Sequence, residues 1–242
     1  MTKKLKKLLK GYSSVVFLDF EGTQFTHEMI AIGALHVSLD GLKNIKKRKE
    51  PFKLYVKATN NIGNYITELT GITQDILNKQ GVTFYTAMQE LKKYVGRNFK
   101  RSVFITFGNH DLKILNETIS HNLSYPKEIT STIQKNYGDF AAFMNQFVKD
   151  SKGCALSLIH ACEHFNAKIE GPSHDPSIDA INLANLYQAF LDNKELLVDD
   201  YKNALANSIR QNEVIYEVIN RLNKGETITP ETYESIIKEC LK

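Results

Sequence analysis

A chain of 242 residues with 42% apolar and 24% charged residues, 13 Gly and 5 Pro has the length of one large domain, or of one domain with an appendage. Its composition excludes collagen-like, low-complexity and wholly disordered chains. The net charge of +4 is unevenly placed: residues 1–10 carry five lysines and no acid, and residues 43–53 carry six basic residues against Glu50, leaving 20 basic and 26 acidic residues elsewhere.

The lysine-rich start, residues 1–12, leads directly into a buried strand at 15–20, without the apolar stretch of an export signal. Apolar runs such as 15–18 and 103–105 fall far short of the roughly 18–20 residues that a membrane span needs, so no segment is expected to cross a bilayer. Cys154, Cys162 and Cys240 form no CxxC pair, which argues against a disulfide framework and a zinc ribbon and for a cytoplasmic protein. Second and third strands are expected at 29–37 and 52–56, joined by a Lys/Asp/Gly-rich connection that holds the KKRK run. Strands this close leave no room for crossover helices and read as an antiparallel meander.

Thr73 and Thr83 are placed to cap two helices, the second carrying Met88, Leu91 and Val95 at helical spacing. These helices supply the crossover for a parallel fourth strand at 103–107. Further helices are expected at 111–121, 139–149, 154–164 and 177–191, and one more strand at 129–133. Beyond residue 193 the pattern is helical only. One long helix is expected over 198–222, then a last one capped by Thr229, with Pro230 and Glu231 in its first turn. The fold class is α/β, a mixed sheet flanked by helices, with a helical appendage at 193–242 suited to packing on the core or on a partner subunit.

Three segments carry chemistry. In VVFLDFEGT, residues two apart share a strand face, so Asp19 and Glu21 emerge together at the end of an apolar strand. Paired carboxylates are costly to bury unless a cation or a shared proton neutralises them, and hard oxygen ligands suit Mg²⁺ or Mn²⁺; alternatively the strand ends there and both acids face water. In SVFITFGNHDLKIL, Asp111 stands just past a strand's carboxyl edge, where open α/β folds gather their sites, although a first-turn acid is also favoured by the helix dipole. His110 reads as a loop histidine. In GPSHDPSIDAINLANLY, Asp175 caps a helix that begins with Pro176, so His174 in the loop and Asp179 one turn in can face one pocket. A neutral imidazole is a suitable base near neutral pH; the alternative for His174 is a solvated loop position.

Taken in order, DFEGT, then GNHD about ninety residues later, then H-x4-D before a DA-containing helix resemble the three motifs of the DEDDh family of 3'-to-5' exonucleases. EMIAIGALHV is similar to the family's second strand and YITELTGIT to its LTGIT segment. The resemblance covers about residues 13–192 and implies a ribonuclease H-like fold. It implies two divalent ions, Mg²⁺ or Mn²⁺, bridged by Asp19, with Glu21 and Asp179 completing one site, Asp111 holding the other through water, and His174 as general base. Gly22, Thr23, Leu69, Thr70 and Gly71 match positions that hold the terminal nucleotide. The implied substrate is the 3' end of RNA or single-stranded DNA, and the DFEGT form leans toward the RNA-trimming branch.

Rival readings are a non-catalytic nucleic-acid-binding or assembly subunit on the same fold and a haloacid-dehalogenase-like phosphatase, whose DxDGT motif DFEGT is also similar to. Glu21 departs from that motif's second Asp, and no late GDxxxD pair follows. His160, Glu163 and His164 match the HxxEH pattern of inverted zinc proteases, but LSLIHACEHF reads as a core-packing helix. The two basic segments suit a polyanion, although such runs are commonly solvated surface. A homo-oligomer is left open.

Overall fold

The computed structural model describes residues 2–150, 152–208 and 212–240. Helix α1 (Thr2–Leu8) precedes strands β1 (Ser14–Gly22), β2 (Met29–Leu39), β3 (Ile45–Arg48) and β4 (Phe52–Tyr55). Helices α2 (Asn64–Thr70), α3 (Gln74–Gln80) and α4 (Phe84–Val95) then lead through a 3₁₀ turn, Gly96–Arg101, into β5 (Ser102–Thr106). After α5 (His110–His121), α6 (Lys127–Lys135) and β6 (Tyr137–Asp139) come α7 (Phe140–Met144), α8 (Leu158–His164) and α9 (Pro176–Asp192). The last helices are α10 (Lys194–Ser208), α11 (Glu213–Asn223) and α12 (Pro230–Cys240). None of the described helices is long and apolar enough to cross a membrane.

Six strands form one sheet in the order β3-β2-β1-β5-β6, with β4 also on β2. β2 pairs antiparallel with β1, β3 and β4, and pairing is parallel for β1–β5 and β5–β6, because short connections join the first strands while α2–α4 form the crossover to β5. This is a mixed sheet of the kind that the sequence resemblance implied. The strand alternation sorts the two faces of β1. Val16, Leu18 and Phe20 enter a core with Phe84, Met88, Leu91 and Val95 of α4, each fully buried aliphatic side chain contributing about 1.5–3 kcal/mol. Phe17, on the other face, meets Tyr187 of α9 with ring centroids 5.5 Å apart. Thr73 and Thr83 cap α3 and α4 as expected, accepting the backbone N–H groups of Ile76 and Thr86.

Several expectations change. The connection expected to hold KKRK contains a strand, β3, whose Lys47 and Arg48 pair with Ser38 and Val37; a solvated basic edge strand shows no apolar alternation to betray it. Residues 129–133 are helical within α6, not a strand. Their β-branched residues favour extended structure, but Ile129 and Ile133, four apart, are buried together in the core that α4 lines. The last strand is instead β6. The helix expected at 139–149 is shortened to α7, which starts after Asp139 accepts the Ala142 N–H at 2.8 Å. That expected at 154–164 starts at Leu158, because Ser157 caps it by accepting the His160 N–H at 3.3 Å.

The chain divides into two compact units, Met1–Phe143 with Ser157–Asp192, and Met144–Leu156 with Asn193–Lys242. In the second unit, the single helix expected over 198–222 is broken at Asn212. That residue is extended (φ −113°, ψ 92°) and caps α11 by accepting the Ile215 N–H; residues 209–211 lie outside the described residues. Arg221 ties α11 to α12, reaching Glu217 at 2.8 Å and Glu239 at 3.0 Å, and Thr229 caps α12 by accepting the Thr232 N–H.

Candidate active site

The carboxyl end of β1 delivers the first two acids. Asp19 lies opposite Gly33 of β2 and Glu21 opposite Ala31, just before a register shift at Gly22. Gly33 is required here by packing: a Cβ on it would lie 1.9 Å from the Pro176 carbonyl, so only hydrogen lets the start of α9 approach β2 beside Asp19. That close approach carries in the third segment. Asp175 accepts the Ser177 N–H at 3.0 Å, capping α9, and pairs with Lys53 at 2.7 Å. Asp179 accepts the backbone N–H of His174 at 2.8 Å, which helps hold His174 in the left-handed conformation (φ 65°) that few non-glycine residues adopt.

Asp111, in the first turn of α5, reaches back to β1 and accepts the Phe20 N–H at 2.7 Å. The turn before it is clamped on both sides. The Gly108 carbonyl accepts from Tyr137 Oη at 2.6 Å and Thr106 Oγ1 at 2.7 Å, while its N–H donates to Asp139 at 3.1 Å. Gly108 itself sits at φ 99°.

Asp19, Glu21, Asp111, His174 and Asp179 thus line one open cavity of about 670 Å³ together with Gly22, Thr23 and Leu69. Glu21, His174 and Asp179 each present a ligand-capable atom, all within 4.8 Å of one another. Among the described residues no other three such side chains, His160, Glu163 and His164 included, bring ligand atoms this close together. Thr70 and Gly71 are not among the cavity-lining residues. They close α2 instead: Thr70 Oγ1 donates to the Ile66 carbonyl and Gly71 is its left-handed cap. Thr23 is buried, its hydroxyl accepting the Glu28 N–H at 3.0 Å.

Two histidines were not legible as site residues. His110 opens α5 rather than a loop, and its ring meets that of His27 edge-on at 5.4 Å; both line the cavity with Gln24 and Tyr65. No motif marks His27; its positive φ of 51° emerges only in the fold.

Electrostatics make the cluster unstable as a set of free anions. Burial, then repulsion from Asp111, Glu21, Asp179 and Asp175, holds Asp19 well above the usual carboxylate range. Burial pushes Glu21 to about 8, with Asp179, Asp111 and Asp175 adding to the rise and Lys53 opposing it. Burial raises Asp111 to about 7 against the lowering effect of the Phe20 N–H. Burial also raises Asp179, opposed by its bond from His174. At neutral pH such a group must hold protons or a cation, and hard oxygen donors gathered at one buried edge suit divalent ions of the Mg²⁺ class.

Among curated proteins no sequence matches significantly. Solved structures share the fold. A full-length 3'-exonuclease aligns with TM-score 0.61 and 23% identity, covering 76% of this chain and 83% of its own. The nuclease domain of 3'hExo, described as a DEDDh family member bound to rAMP, aligns with TM-score 0.59 and 22% identity, covering 75% and 92%. Exonuclease I of E. coli, in complex with a dT13 oligonucleotide, aligns with TM-score 0.57 and 16% identity, covering 78% of this chain and 43% of its own. A family model described as Exonuclease, RNase_T, matches residues 16–187, a span that runs from β1 into α9 and contains all five clustered side chains. The chain belongs to this exonuclease family.

Proposed function

We propose that the protein is a metal-dependent 3'-to-5' exonuclease of the DEDDh type, releasing nucleoside 5'-monophosphates from the 3' end of RNA or single-stranded DNA. The observation that carries this reading is the convergence of Asp19, Glu21, Asp111, His174 and Asp179, from three distant segments, on one cavity. The four carboxylates would hold two divalent ions, Mg²⁺ or Mn²⁺. When bound, such ions relieve the carboxylates' repulsion, activate water and stabilise the charge of the leaving 3' oxygen.

The chain's own residues supply position and proton transfer. A cavity of about 670 Å³ is in the roughly 300–1,000 Å³ range of small-ligand sites, enough for one nucleotide. Backbone groups at Gly22 and Thr23, on the shifted end of β1, and the Leu69 side chain border the space for the terminal sugar and base. Water attacks the phosphorus, the P–O3' bond breaks, and the departing 3' oxygen takes a proton from solvent, so the shortened strand ends in a 3' hydroxyl. A ring nitrogen of His174 takes the proton from the attacking water; His174 is exposed, so the proton passes on to solvent. A pure binding module has no use for this arrangement, since an acidic cavity repels phosphate unless cations fill it.

Among the related structures the 3'hExo nuclease domain holds rAMP and exonuclease I holds a DNA oligonucleotide, and the DFEGT form leans toward RNA. Turnover of matched RNA and DNA oligonucleotides with Mg²⁺ sets the sugar preference, and none on either strand overturns the reading. His174→Ala tests the base: turnover falls about 10²–10⁴-fold while Mn²⁺ binding, read by electron paramagnetic resonance, is unchanged. Lost Mn²⁺ binding makes His174 a ligand, a role its closeness to Glu21 and Asp179 allows.

A further inference from the structure

The carboxyl ends of the parallel strands carry the acidic cavity; the opposite end of the same sheet carries the reverse charge. One row of cross-strand partners, Lys47–Ser38–Ser14–Ser102, runs across that end from β3 to β5, a width of about 14 Å at roughly 4.8 Å per strand. Arg101 directly precedes Ser102. Beside it, Asn136 Nδ2 donates to the Lys100 carbonyl and the Asn136 carbonyl accepts the Phe104 N–H, which brings Lys135 to the same end. Lys10 joins it by donating to the Lys135 carbonyl at 2.6 Å. Segments far apart in sequence, 10, 46–47, 97–101 and 135, therefore meet at one edge because the strand register aligns them.

The charges there are mostly uncompensated. Lys46, Lys47, Arg97, Arg101 and Lys135 are exposed, and among the described residues none of them makes an ion pair. Of the nearby acids, Glu128 is taken by Lys100 at 2.6 Å and Lys92 at 3.9 Å, and Asp40 accepts the N–H groups of its own turn. Five residues of β1 separate Ser14 from Asp19, about 17 Å at roughly 3.4 Å each; a strand that passes around the helices covering β1 therefore needs more than about five nucleotides at 3.4 Å to span both ends.

We infer that this basic end is a second nucleic-acid site, binding the phosphates of a substrate strand upstream of the 3' nucleotide in the cavity. The inference rests on the exonuclease reading for the choice of occupant. It accounts for a molecule that must bring a polyanion to an acidic cavity: attraction is exerted one sheet length away, where the nearby carboxylates Glu128 and Asp40 are engaged by lysines and backbone N–H groups. It also makes the protein favour strands long enough to reach both ends.

The test uses the full chain and fluorescently labelled oligonucleotides of about four and about twenty nucleotides, bound with Ca²⁺ in place of Mg²⁺ so that cations fill the cavity, at a series of salt concentrations. The variant carries Lys46→Gln, Lys47→Gln, Arg101→Gln and Lys135→Gln, with a thermal melt to check the fold. The wild type should bind the long strand more tightly than the short one. The variant should lose that advantage by at least about tenfold, and its slope of log affinity against log salt should flatten by about 2.8, at roughly 0.7 per lost phosphate contact. Hydrolysis of a dinucleotide with Mg²⁺ should be unchanged. A companion variant with Lys46→Arg, Lys47→Arg and Lys135→Arg should keep the wild-type slope, and loss of it overturns the charge argument. An unchanged length advantage and slope in the glutamine variant overturns the site, as does equal competition by phosphatidylserine vesicles, which would mark a general anionic surface. Failure of the wild type to hydrolyse the dinucleotide sinks the exonuclease reading separately, because the length and salt dependence of binding are read without turnover.

Discussion

Replacing Gly33 with alanine puts a methyl group where the start of α9 already lies. The new Cβ would be 1.9 Å from the Pro176 carbonyl oxygen and carbon and 2.4 Å from the Ser177 nitrogen. Ordinary contact is about 3.5 Å, so the helix start must withdraw by roughly 1.5 Å, because backbone cannot rotate aside as a side chain can. His174 and Asp179 ride on that segment, whereas Asp19 and Glu21 stay on β1. A displacement of about 1 Å at a reacting centre costs about 10²-fold in rate, and overpacking costs about 1–3 kcal/mol of stability. At roughly 3 °C per kcal/mol, the melting temperature should fall by roughly 3–9 °C while turnover of a 3'-ended oligonucleotide falls at least about a hundredfold. Comparing wild type and variant by thermal melt and by initial rate at saturating Mg²⁺ separates the two effects. A variant with wild-type rate would refute the claim that the β2–α9 approach sets the site.

Three further outcomes follow from the same geometry. Asp19→Asn should cut turnover at least about a hundredfold yet melt no lower than wild type in chelator, because it removes one of several mutually repelling carboxylates; a marked loss of stability contradicts the repulsion argument. Glu21 and Asp111 have folded-state values raised to about 8 and about 7, so their favourable contribution is fully present below their unfolded values and is lost as pH rises through 7–8. Chelated protein should therefore melt progressively lower from pH 6 to 9, and Mg²⁺ should raise the melting temperature more at pH 8 than at pH 6; a flat profile speaks against a buried acidic cluster. Tyr137→Phe removes the hydroxyl that holds the Gly108 carbonyl at 2.6 Å, leaving Thr106 there. A stability loss of about 1 kcal/mol with weaker Mn²⁺ binding is expected, and unchanged Mn²⁺ affinity would free Asp111 from dependence on this clamp.

The parts of the fold that local chemistry determines were legible in the chain itself. The two-residue period of β1 placed Asp19 and Glu21 on one face, and Thr73, Thr83 and Asp175 announced helix starts that the fold keeps. What was hidden depends on partners. β3 is a strand because β2 lies beside it, not because IKKR favours extended structure. In α6, burial of Ile129 and Ile133 overrides the strand preference of their own segment. The break at Asn212 sits in a run, 198–222, that carries apolar residues on both sides of it in sequence. His27 enters the cavity through a left-handed turn and a ring contact with His110, neither of which leaves a mark in sequence. The Gly108 clamp is of the same kind, joining Thr106 to Tyr137 and Asp139 across two strand ends.

The most direct measurement follows a 5'-labelled single-stranded RNA and its DNA counterpart over time with Mg²⁺, with Mn²⁺ and with chelator, beside the Asp19→Asn variant. The account predicts a metal-dependent ladder that shortens one nucleotide at a time from the 3' end, absent in chelator and in the variant. Cleavage that starts internally or from the 5' end, or a ladder that persists in the variant, would contradict it.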